Sequence, residues 1–331
     1  MNLKQNTQLM KTQTFGVEIE MSRITREKAR DIVKRYFEEK YGISSLDAWR
    51  ESSYDSYYCN DNQGRKWRFM TDGSSSGRLG SISCEMVTPI LTIDDMEDLQ
   101  NIVRLLRENG ARSGADYNAG VHVHIGADFD TENGQNAKTI RNLVNVMASH
   151  ERILLKAVGV SALRLDWCRC VDRYFLQRLN SKKPKTKEDL AKVWYNTERY
   201  EYRAREHYDS TRYHMINLHA LFSKGTIEFR LFEFKRGLHA GELKAWIQLC
   251  LALCSYAKLV KYASSNEINM NNEKYAMKNW LNNMGFIGDE FKTARKILNR
   301  RLSGDTAYRN GRPTTDADDL LDTQSYEMEI D

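Results

Sequence analysis

Four segments of the chain alternate apolar and polar residues with the period of two that is typical of a β-strand. They are TFGVEIEM at 14–21, SISCEMVTP at 81–89, AGVHVHIG at 119–126 and TIEFRLFEF at 226–234. In each segment one face is apolar and can pack on a core, while the other face carries ionisable side chains. The alternation therefore predicts strands that are covered by apolar packing on one face only.

Two more segments complete the predicted sheet. RKWRFM at 65–70 precedes a Gly/Ser-rich turn that leads into the strand at 81–89. YHMINLHALF at 213–222 is interpreted as the first arm of a hairpin that turns near Lys224 and Gly225. We therefore expect an antiparallel sheet of about five to six strands.

Helical spacing of apolar residues predicts the helices that cover this sheet. It occurs at 24–41, 94–109, 137–160, 186–207 and 238–260, and two short helices are expected around Trp280 and Ile297. The segment 238–260 is apolar almost all round, so we expect it to be buried. Together the patterns predict an α+β fold with helices on the apolar face of the sheet and a polar trough on the other face.

The chain divides by composition into three parts. Residues 1–262 hold the predicted strands and the long helices and form the main domain, 263–302 form a C-terminal helical appendage, and 303–331 form an acidic tail that we expect to be mobile. No internal repeat or Pro-rich linker divides the main domain further.

The overall composition is that of a globular protein. Of the 331 residues 41% are hydrophobic, 29% are charged and three are Pro, which excludes collagen-like, low-complexity and wholly disordered chains. No apolar run reaches the roughly 18 residues of a membrane span, and the first residues lack a secretory pattern, so we expect a cytoplasmic protein without membrane contact. The six cysteines are too few for a disulfide scaffold and are predicted to be reduced thiols.

The charge of the chain is unevenly distributed. The net charge is +5, but the residues after 302 include eight acidic side chains and two arginines, which leaves +11 for residues 1–302. A body this basic favours an anionic ligand. Nucleotides, nucleic acid, carboxylate substrates and acidic protein surfaces are the candidates.

The polar faces of the predicted strands carry side chains that bind metals or phosphates. These are Glu18, Glu20, Glu85, His122, His124, Glu228 and Arg230. Side chains two positions apart on a strand point the same way at roughly 6.6 Å, so a single sheet would gather them in the trough. Two carboxylates about 7 Å apart repel by roughly 2 kcal/mol at an effective dielectric constant of 20, so a cation is expected among them.

The combination of carboxylates with one imidazole favours a hard divalent cation, Mg²⁺ or Mn²⁺, over zinc. Such a cation usually keeps coordination positions open for water and for the phosphate oxygens of a substrate. Arg230 could then neutralise the charge that develops on a transferring phosphoryl group. The residues thus predict a nucleotide-dependent metal site.

The order of these motifs resembles that of the amidoligase family, a branch of the glutamine synthetase and glutamate–cysteine ligase superfamily. The resemblance runs over about 14–262 and is carried by FGVEIE, by DGS followed by CEMVTP, by GVHVHIG and by INLHALFSKGTIEFRLFE. It implies a catalytic domain over 1–262 with a fold like that of glutamine synthetase. It also implies an ATP-dependent carboxylate–amine ligase that forms an amide through an acyl phosphate.

The resemblance also implies roles for individual residues. Glu20 and Glu85 correspond to ligands of one metal, and Glu18, His122 and Glu228 correspond to ligands of a second. A catalytic role is implied for the following three residues: Arg230, Glu228 and His124.

His124 and Arg230 are further expected to contact the nucleotide and its phosphates, as Lys66, Arg68 and Asn217 could also do. Asp72, in the motif TDGS, could orient a ligand or cap a turn.

The resemblance implies acid and amine substrates that are small molecules or peptides, and a protein could be the target. Glutamine synthetase carries two spaced glutamates where this chain offers only Glu85, so one metal could be bound more weakly. The N-terminal sheet domain of glutamine synthetase has no counterpart here. We therefore expect a self-contained site in a monomer or small homo-oligomer.

Two other classes of function remain open at this point. The basic and aromatic stretch RYEYRAREHYDSTRYH at 199–214 is compatible with nucleic-acid binding or, because of the carboxylates, with a metal-dependent nuclease, although nucleic acid is not the partner we expect. A zinc site could combine His122 and His124 with Cys168 and Cys170, but the spacing of the two cysteines is poor for zinc. The run GSSSGRLG lacks the Lys-Ser ending of a P-loop.

Overall fold

The structure is a computed structural model that describes residues 3–52, 55–71, 83–235 and 237–310. The expectations for Asp72, for the Gly/Ser turn and for most of the acidic tail fall on residues outside these ranges. The domain boundaries at 262 and 302 stay predictions.

The described residues form one antiparallel sheet of eight strands in the order β2-β3-β4-β5-β1-β6-β8-β7. The strands are β1 Phe15–Ser22, β2 Ala48–Glu51, β3 Ser56–Asn60, β4 Lys66–Met70, β5 Ser83–Val87, β6 Val121–Gly126, β7 Ile216–Asn217 and β8 Thr226–Phe232. An α+β fold built on one antiparallel sheet is thus confirmed.

The prediction of five to six strands is wrong because β2 and β3 were not expected. All four residues of β2 are exposed, as befits an edge strand, so it carries no buried apolar face that could be read from sequence. β3 lies between β2 and β4 in the tyrosine-rich part of the chain. Pairing with β4, rather than an alternating pattern of its own, holds this hairpin on the sheet.

Eleven α-helices accompany the sheet in the described part of the chain. They are α1 Leu3–Thr12, α2 Arg26–Tyr41, α3 Met96–Glu108, α4 Ala137–Val158, α5 Arg173–Lys182, α6 Lys187–Tyr195, α7 Tyr200–Arg205, α8 His219–Ser223, α9 Ala240–Leu259, α10 Glu273–Asn283 and α11 Lys292–Asn299. Within the described ranges, no helix combines the length and the apolar character that crossing a bilayer would require.

Helix α9 is the centre of the apolar side of the fold. It contacts strand β6 and the helices α1, α3, α4 and α11. Its Trp246 stacks on Phe232 of β8, with ring centroids 5.1 Å apart, and lies 5.0 Å from Phe234. The prediction that this all-round apolar segment is buried is confirmed.

Two predicted elements are interrupted in the structure. The single helix expected at 186–207 is two helices, because α6 ends at Asn196 in the left-handed conformation with φ of 53°. The simple hairpin expected at 213–234 is also wrong. β7 is only two residues long, and the backbone N–H of His219 donates to the side-chain oxygen of Asn217 at 2.8 Å where the chain turns into α8.

A β-bulge in β8 decides which side chains face the trough. Val123 pairs with Phe229 and Val121 pairs with Phe232, so two residues of β8 lie opposite the single residue between these valines on β6. The bulge shifts the alternation of β8 by one residue, so Phe229 and Phe232 belong to the same core although they are three positions apart, and Phe232 packs on α9. Arg230 lies two positions after Glu228, so both side chains lie on the trough side of the strand.

A half-buried histidine between α4 and α10 makes the stability of the fold depend on pH. The ring of His150 stacks on Trp280 with centroids 3.9 Å apart, and burial lowers the pKa of His150 to about 4. The unfolded chain, with a histidine pKa near 6.5, therefore binds more protons than the folded chain as the pH falls below 6.5. We expect this group to cost about 2 kcal/mol of folding free energy between pH 7.5 and pH 5, and its penalty to level off below about pH 4.

Urea denaturation of the wild type and of His150→Phe at both pH values measures this difference. The variant should lose less stability on acidification than the wild type does. Equal losses in the two proteins would contradict the assignment.

Candidate active site

The pairing of the strands brings distant acidic residues and histidines onto one face of the sheet. Glu18 of β1 lies opposite His122 of β6, and Glu20 of β1 lies opposite Glu85 of β5. Glu228 of β8 lies opposite His124 of β6. Since directly opposed residues project to the same side of an antiparallel pair, the register itself builds a cluster of ionisable groups.

His122 is at the centre of this cluster. Its Nδ1 lies 3.0 Å from Oε2 of Glu18 and 3.5 Å from Oε1 of Glu228. Its Nε2 lies 3.5 Å from Oε1 of Glu20. The ring therefore separates two sets of carboxylates and touches both.

The geometry defines two groups of possible metal ligands. In the first group Glu18, His122 and Glu228 each offer one atom, and in the second group Glu20, Glu85 and His122 do so; within each group these atoms all lie within 4.8 Å of one another. The carboxylates divide between the groups as the family resemblance implies for two metals, and His122 belongs to both. Their role as ligands stays a prediction.

The chemistry of these donors fits a hard divalent cation. Carboxylate oxygens with one imidazole nitrogen are suitable ligands for Mg²⁺ or Mn²⁺. Nε2 of His122 is buried and has no hydrogen-bond partner among the described residues, although buried polar atoms are rarely left unpaired. A neutral imidazole has one free ring nitrogen, so Nε2 can bind a cation beside Glu20 and Glu85 while the proton is on Nδ1, and Nδ1 can bind one beside Glu18 and Glu228 while the proton is on Nε2.

Electrostatic interactions keep the cluster charged despite its burial. Burial alone would raise the pKa of Glu18, but the charge of His124 and hydrogen bonding from His122 and His124 hold that pKa well below its usual value. Burial also opposes ionisation of Glu228, yet the charge of Arg230 brings its pKa down to about 2. Burial and the charge of Arg230 lower the pKa of His122, which keeps the imidazole neutral and able to bind a metal.

Two polar side chains hold Glu228 in place. Nη1 of Arg230 donates to Oε1 at 2.5 Å, and Nδ2 of Asn217 donates to Oε2 at 2.6 Å. The side-chain oxygen of Asn217 in turn accepts from the backbone N–H of His219. The observed contacts of Asn217 thus orient Glu228, whereas a contact with nucleotide stays a prediction.

A close approach between Gly120 and Arg164 supports the other side of the cluster. The backbone N–H of Gly120 donates to Oε2 of Glu20 at 2.5 Å. A Cβ at position 120 would lie 2.2 Å from the guanidinium of Arg164, so any larger residue there would force Arg164 to move. Arg164 donates in turn to the carbonyl oxygen of Arg230 at 2.8 Å. Sequence reasoning missed Arg164, which follows no periodic pattern.

His124 lies beside the two groups and belongs to neither. Its Nε2 is 3.2 Å from Oε1 of Glu18, and its Nδ1 is 3.1 Å from the hydroxyl of Thr226. Burial would lower the pKa of His124, but the charges of Glu18 and Glu228 raise it above the usual value. His124 is therefore the imidazole in the cluster that favours the protonated form.

A cavity of about 370 Å³ lies over the cluster and is called the site cavity here. Its floor includes Glu20, Glu85 and His122, and Arg68 lies at its β4 side. Lys66 is on the same strand, but its ammonium lies over the ring of Tyr58 at 5.1 Å, outside the lining of this cavity.

The wall of the site cavity comes from segments that precede β7. Trp167, His207, Tyr208, Arg212 and Tyr213 line it. Sequence reasoning did not assign them to the site. The available signal was the dense mixture of basic and aromatic residues at 199–214, which we interpreted only in terms of nucleic-acid binding or a metal-dependent nuclease.

The possible metal groups in the described ranges contain no cysteine. Cys168 is buried, Cys170 is half-buried, and burial raises the pKa of both thiols. Such thiols are poor sources of the thiolate that binds zinc. The structure therefore gives no support to a zinc site built on these cysteines.

Comparison with known families decides the relationship of the chain. The family described as "Putative amidoligase enzyme" matches residues 11–254. The chain belongs to this family. The family resemblance seen in the sequence is therefore confirmed.

Other comparisons add little to the family assignment of this amidoligase. No curated protein matches it. Among solved structures, a bifunctional glutathione synthetase from Pasteurella multocida is similar with a TM-score of 0.47 and 10% sequence identity, over 90% of this chain and 49% of that protein. The chain thus spans about half the length of that synthetase, and a fold like that of glutamine synthetase stays a prediction.

The two groups of ligands predict separable metal sites. We expect the wild type to bind two Mn²⁺ ions, Glu228→Gln to lose one and Glu20→Gln to lose the other, while His122→Ala weakens both by about tenfold or more because its ring touches both groups. Titration followed by electron paramagnetic resonance of free Mn²⁺ measures the stoichiometry.

Glu39→Gln is the matched control, since Glu39 is an exposed residue of α2 outside the site. In the absence of metal, Glu20→Gln should melt no lower than the wild type because it removes a repelling charge, whereas Glu228→Gln should melt lower because it leaves the buried Arg230 without its ion-pair partner. Retention of both ions with unchanged affinity in Glu228→Gln and in Glu20→Gln would show that the carboxylates do not bind metal.

Proposed function

We propose that this amidoligase is an ATP- and Mg²⁺-dependent carboxylate–amine ligase that forms an amide bond through an acyl phosphate. One observation carries the proposal: two groups of carboxylates share His122, and Glu18, Glu20, Glu85 and Arg230 line one cavity with it. Membership of the amidoligase family supports the same chemistry.

The reaction consists of two displacements. A carboxylate oxygen of the acid substrate attacks the γ-phosphorus of ATP, and the bond to ADP breaks. The amine nitrogen then attacks the acyl carbon, phosphate leaves with the bonding electrons, and the nitrogen gives up a proton. A carboxylate is a poor electrophile, so splitting the reaction at an activated intermediate lowers the barrier.

The protein would contribute mainly charge and position. Glu18, Glu20, Glu85, His122 and Glu228 would hold the metal ions. Bound Mg²⁺ would offset the negative charge of the phosphates.

Arg230 is well placed to stabilise the transferring phosphoryl group. Its side chain is 5% exposed and is fixed by Glu228 and by the carbonyl oxygen of Trp167, to which its Nε lies at 3.4 Å. A guanidinium that is already oriented stabilises developing negative charge without reorganisation. His124 and Arg68 are proposed to contact the nucleotide. Lys66 and Asn217 are proposed to do so as well, but their positions give less support.

The substrates are proposed to be a small-molecule or peptide acid and amine, or a protein that receives one of them. A cytoplasmic monomer or small homo-oligomer is the corresponding proposal for location and assembly. The division into a catalytic domain at 1–262, an appendage at 263–302 and an acidic tail belongs to the same proposal.

The test is release of ADP from ATP in the presence of Mg²⁺ and pooled amino acids and amines. We expect an acid–amine pair to stimulate release, Glu20→Gln and Glu228→Gln to abolish the stimulation, and Glu39→Gln to retain it. Far-ultraviolet circular dichroism should be the same for all four proteins.

Turnover by Glu20→Gln and Glu228→Gln at the wild-type rate would overturn the proposed site. Cleavage of DNA in Mg²⁺ without ATP would instead favour the metal-dependent nuclease.

A further inference from the structure

Three of the cations that line the site cavity are already engaged with the protein. Arg230 pairs with Glu228, and Nζ of Lys224 lies 3.5 Å from Oε1 of Glu18. Arg164 donates two hydrogen bonds to the carbonyl oxygen of Arg230. These groups balance charges or hold the backbone, so none of them is left free to recognise the body of a substrate.

Arg212 differs from them. It lines the same cavity, yet in the described part of the chain no carboxylate lies within ion-pair distance of its guanidinium. Its Nε is buried and has no hydrogen-bond partner in that part of the chain. A buried donor without a partner is costly, and an anionic ligand would satisfy it.

The guanidinium of Arg212 is nevertheless held in place. Nη1 donates to the carbonyl oxygen of His207 at 2.8 Å. The ring of Tyr208 lies 5.7 Å and the ring of Tyr213 lies 5.8 Å from the guanidinium carbon. Because these contacts limit its rotation, little side-chain entropy remains to be lost when a ligand binds.

Tyr213 relates this cation to the proposed reaction centre. The guanidinium carbon of Arg230 also lies 5.8 Å from the centre of the Tyr213 ring. The two guanidinium groups are therefore at most twice that distance apart. An extended chain covers about 3.5 Å per residue, so a single amino acid or short peptide can span the interval.

The order of the strands separates Arg212 from Arg68, one of the residues proposed to contact the nucleotide. Arg68 is on β4, and the possible metal ligands lie on β5, β1, β6 and β8. Arg212 comes just before β7, beyond β8, and thus flanks the cluster on the side opposite Arg68. An anion at Arg212 therefore lies away from Arg68; because His124 and Asn217, which are also proposed to contact the nucleotide, lie on β6 and β7, the shift with ADP in Arg212→Gln distinguishes a nucleotide phosphate from another part of the substrate.

We propose that Arg212 binds a substrate carboxylate that does not react. This inference rests on the proposed ligase function and narrows its substrates: one of them is an amino acid or short peptide that carries a free carboxylate in addition to its reacting group. The planar guanidinium supplies two parallel donors that match a carboxylate. Tyr208, Tyr213 and Trp167 line the cavity beside it and provide apolar surface for the body of the substrate.

The test uses thermal melting of the full chain in the presence of Mg²⁺. The probes are a pool of L-amino acids with dipeptides, the same pool as C-terminal amides, and ADP. The variants are Arg212→Gln, Arg212→Lys, and Arg199→Gln as control, because Arg199 is an exposed arginine of the same segment that does not line the cavity.

We expect the free acids to raise the melting temperature of the wild type more than the amides do. Arg212→Gln should lose the difference and keep the shift with ADP, Arg212→Lys should retain part of it, and Arg199→Gln should match the wild type. For the acid that gives the largest shift, calorimetry should show binding weakened about tenfold or more by Arg212→Gln.

Equal shifts with acids and amides in the wild type, or an acid-specific shift that survives in Arg212→Gln, would overturn the inference. Loss of the ADP shift with the acid shift intact would assign Arg212 to the nucleotide phosphates and overturn it as well. The ligase proposal is tested separately: acid binding that depends on Arg212, without release of ADP from ATP, would reject the ligase and leave a carboxylate-binding site.

Discussion

The structure depends on the crowding of carboxylates around one imidazole. Glu18, Glu20 and Glu228 each lie within 3.5 Å of a nitrogen of His122, and Glu85 completes the second group. The nearest fixed cation, Arg230, is already paired with Glu228. Like charges at such distances repel by several kcal/mol at an effective dielectric constant of about 20, and the four carboxylates outnumber the cations beside them, which are Arg230, the protonated form of His124 and the half-exposed Lys224. Divalent cations would balance this charge, and the same cations are what phosphoryl transfer requires.

Contacts with the surrounding fold hold the side chains of this cluster in place. The register of β1 with β5 and β6 sets the carboxylates opposite one another, and the bulge in β8 keeps Arg230 in the trough while Phe232 packs on α9. Asn217 holds Glu228, and the backbone of Gly120 holds Glu20. Since these contacts are formed within the protein, the site is largely organised before any ligand binds.

Much of the floor of the site could be predicted from sequence, because strand alternation is a local signal. The pairs Glu18 with Glu20 and His122 with His124 follow from the period of two alone. The distance between the two pairs also depends on which residues of neighbouring strands lie opposite one another. The family resemblance indicated this register only indirectly. Strand β2 was missed because its four exposed residues show no apolar face, and β3 was missed because its buried residues Ser56, Tyr58 and Cys59 form no alternating pattern of strongly apolar side chains.

The walls of the cavity could not be predicted in the same way. Trp167 and Arg212 lie in short turns, and their positions depend on contacts with residues distant in sequence. The carbonyl oxygen of Trp167 accepts from Arg230, and Thr211, the neighbour of Arg212, accepts from Trp194. The bond between Asn217 and Glu228 spans a helix that the sequence pattern suggested was a strand. Loops of this kind carry specificity in many enzymes while leaving no periodic trace in the sequence.

The most direct measurement is a crystal structure of the protein grown with Mn²⁺ and ADP, with anomalous diffraction recorded at the manganese edge. The account predicts two anomalous peaks, one among Glu18, His122 and Glu228 and one among Glu20, Glu85 and His122. Manganese bound elsewhere, or no peak within coordination distance of these side chains, would contradict it.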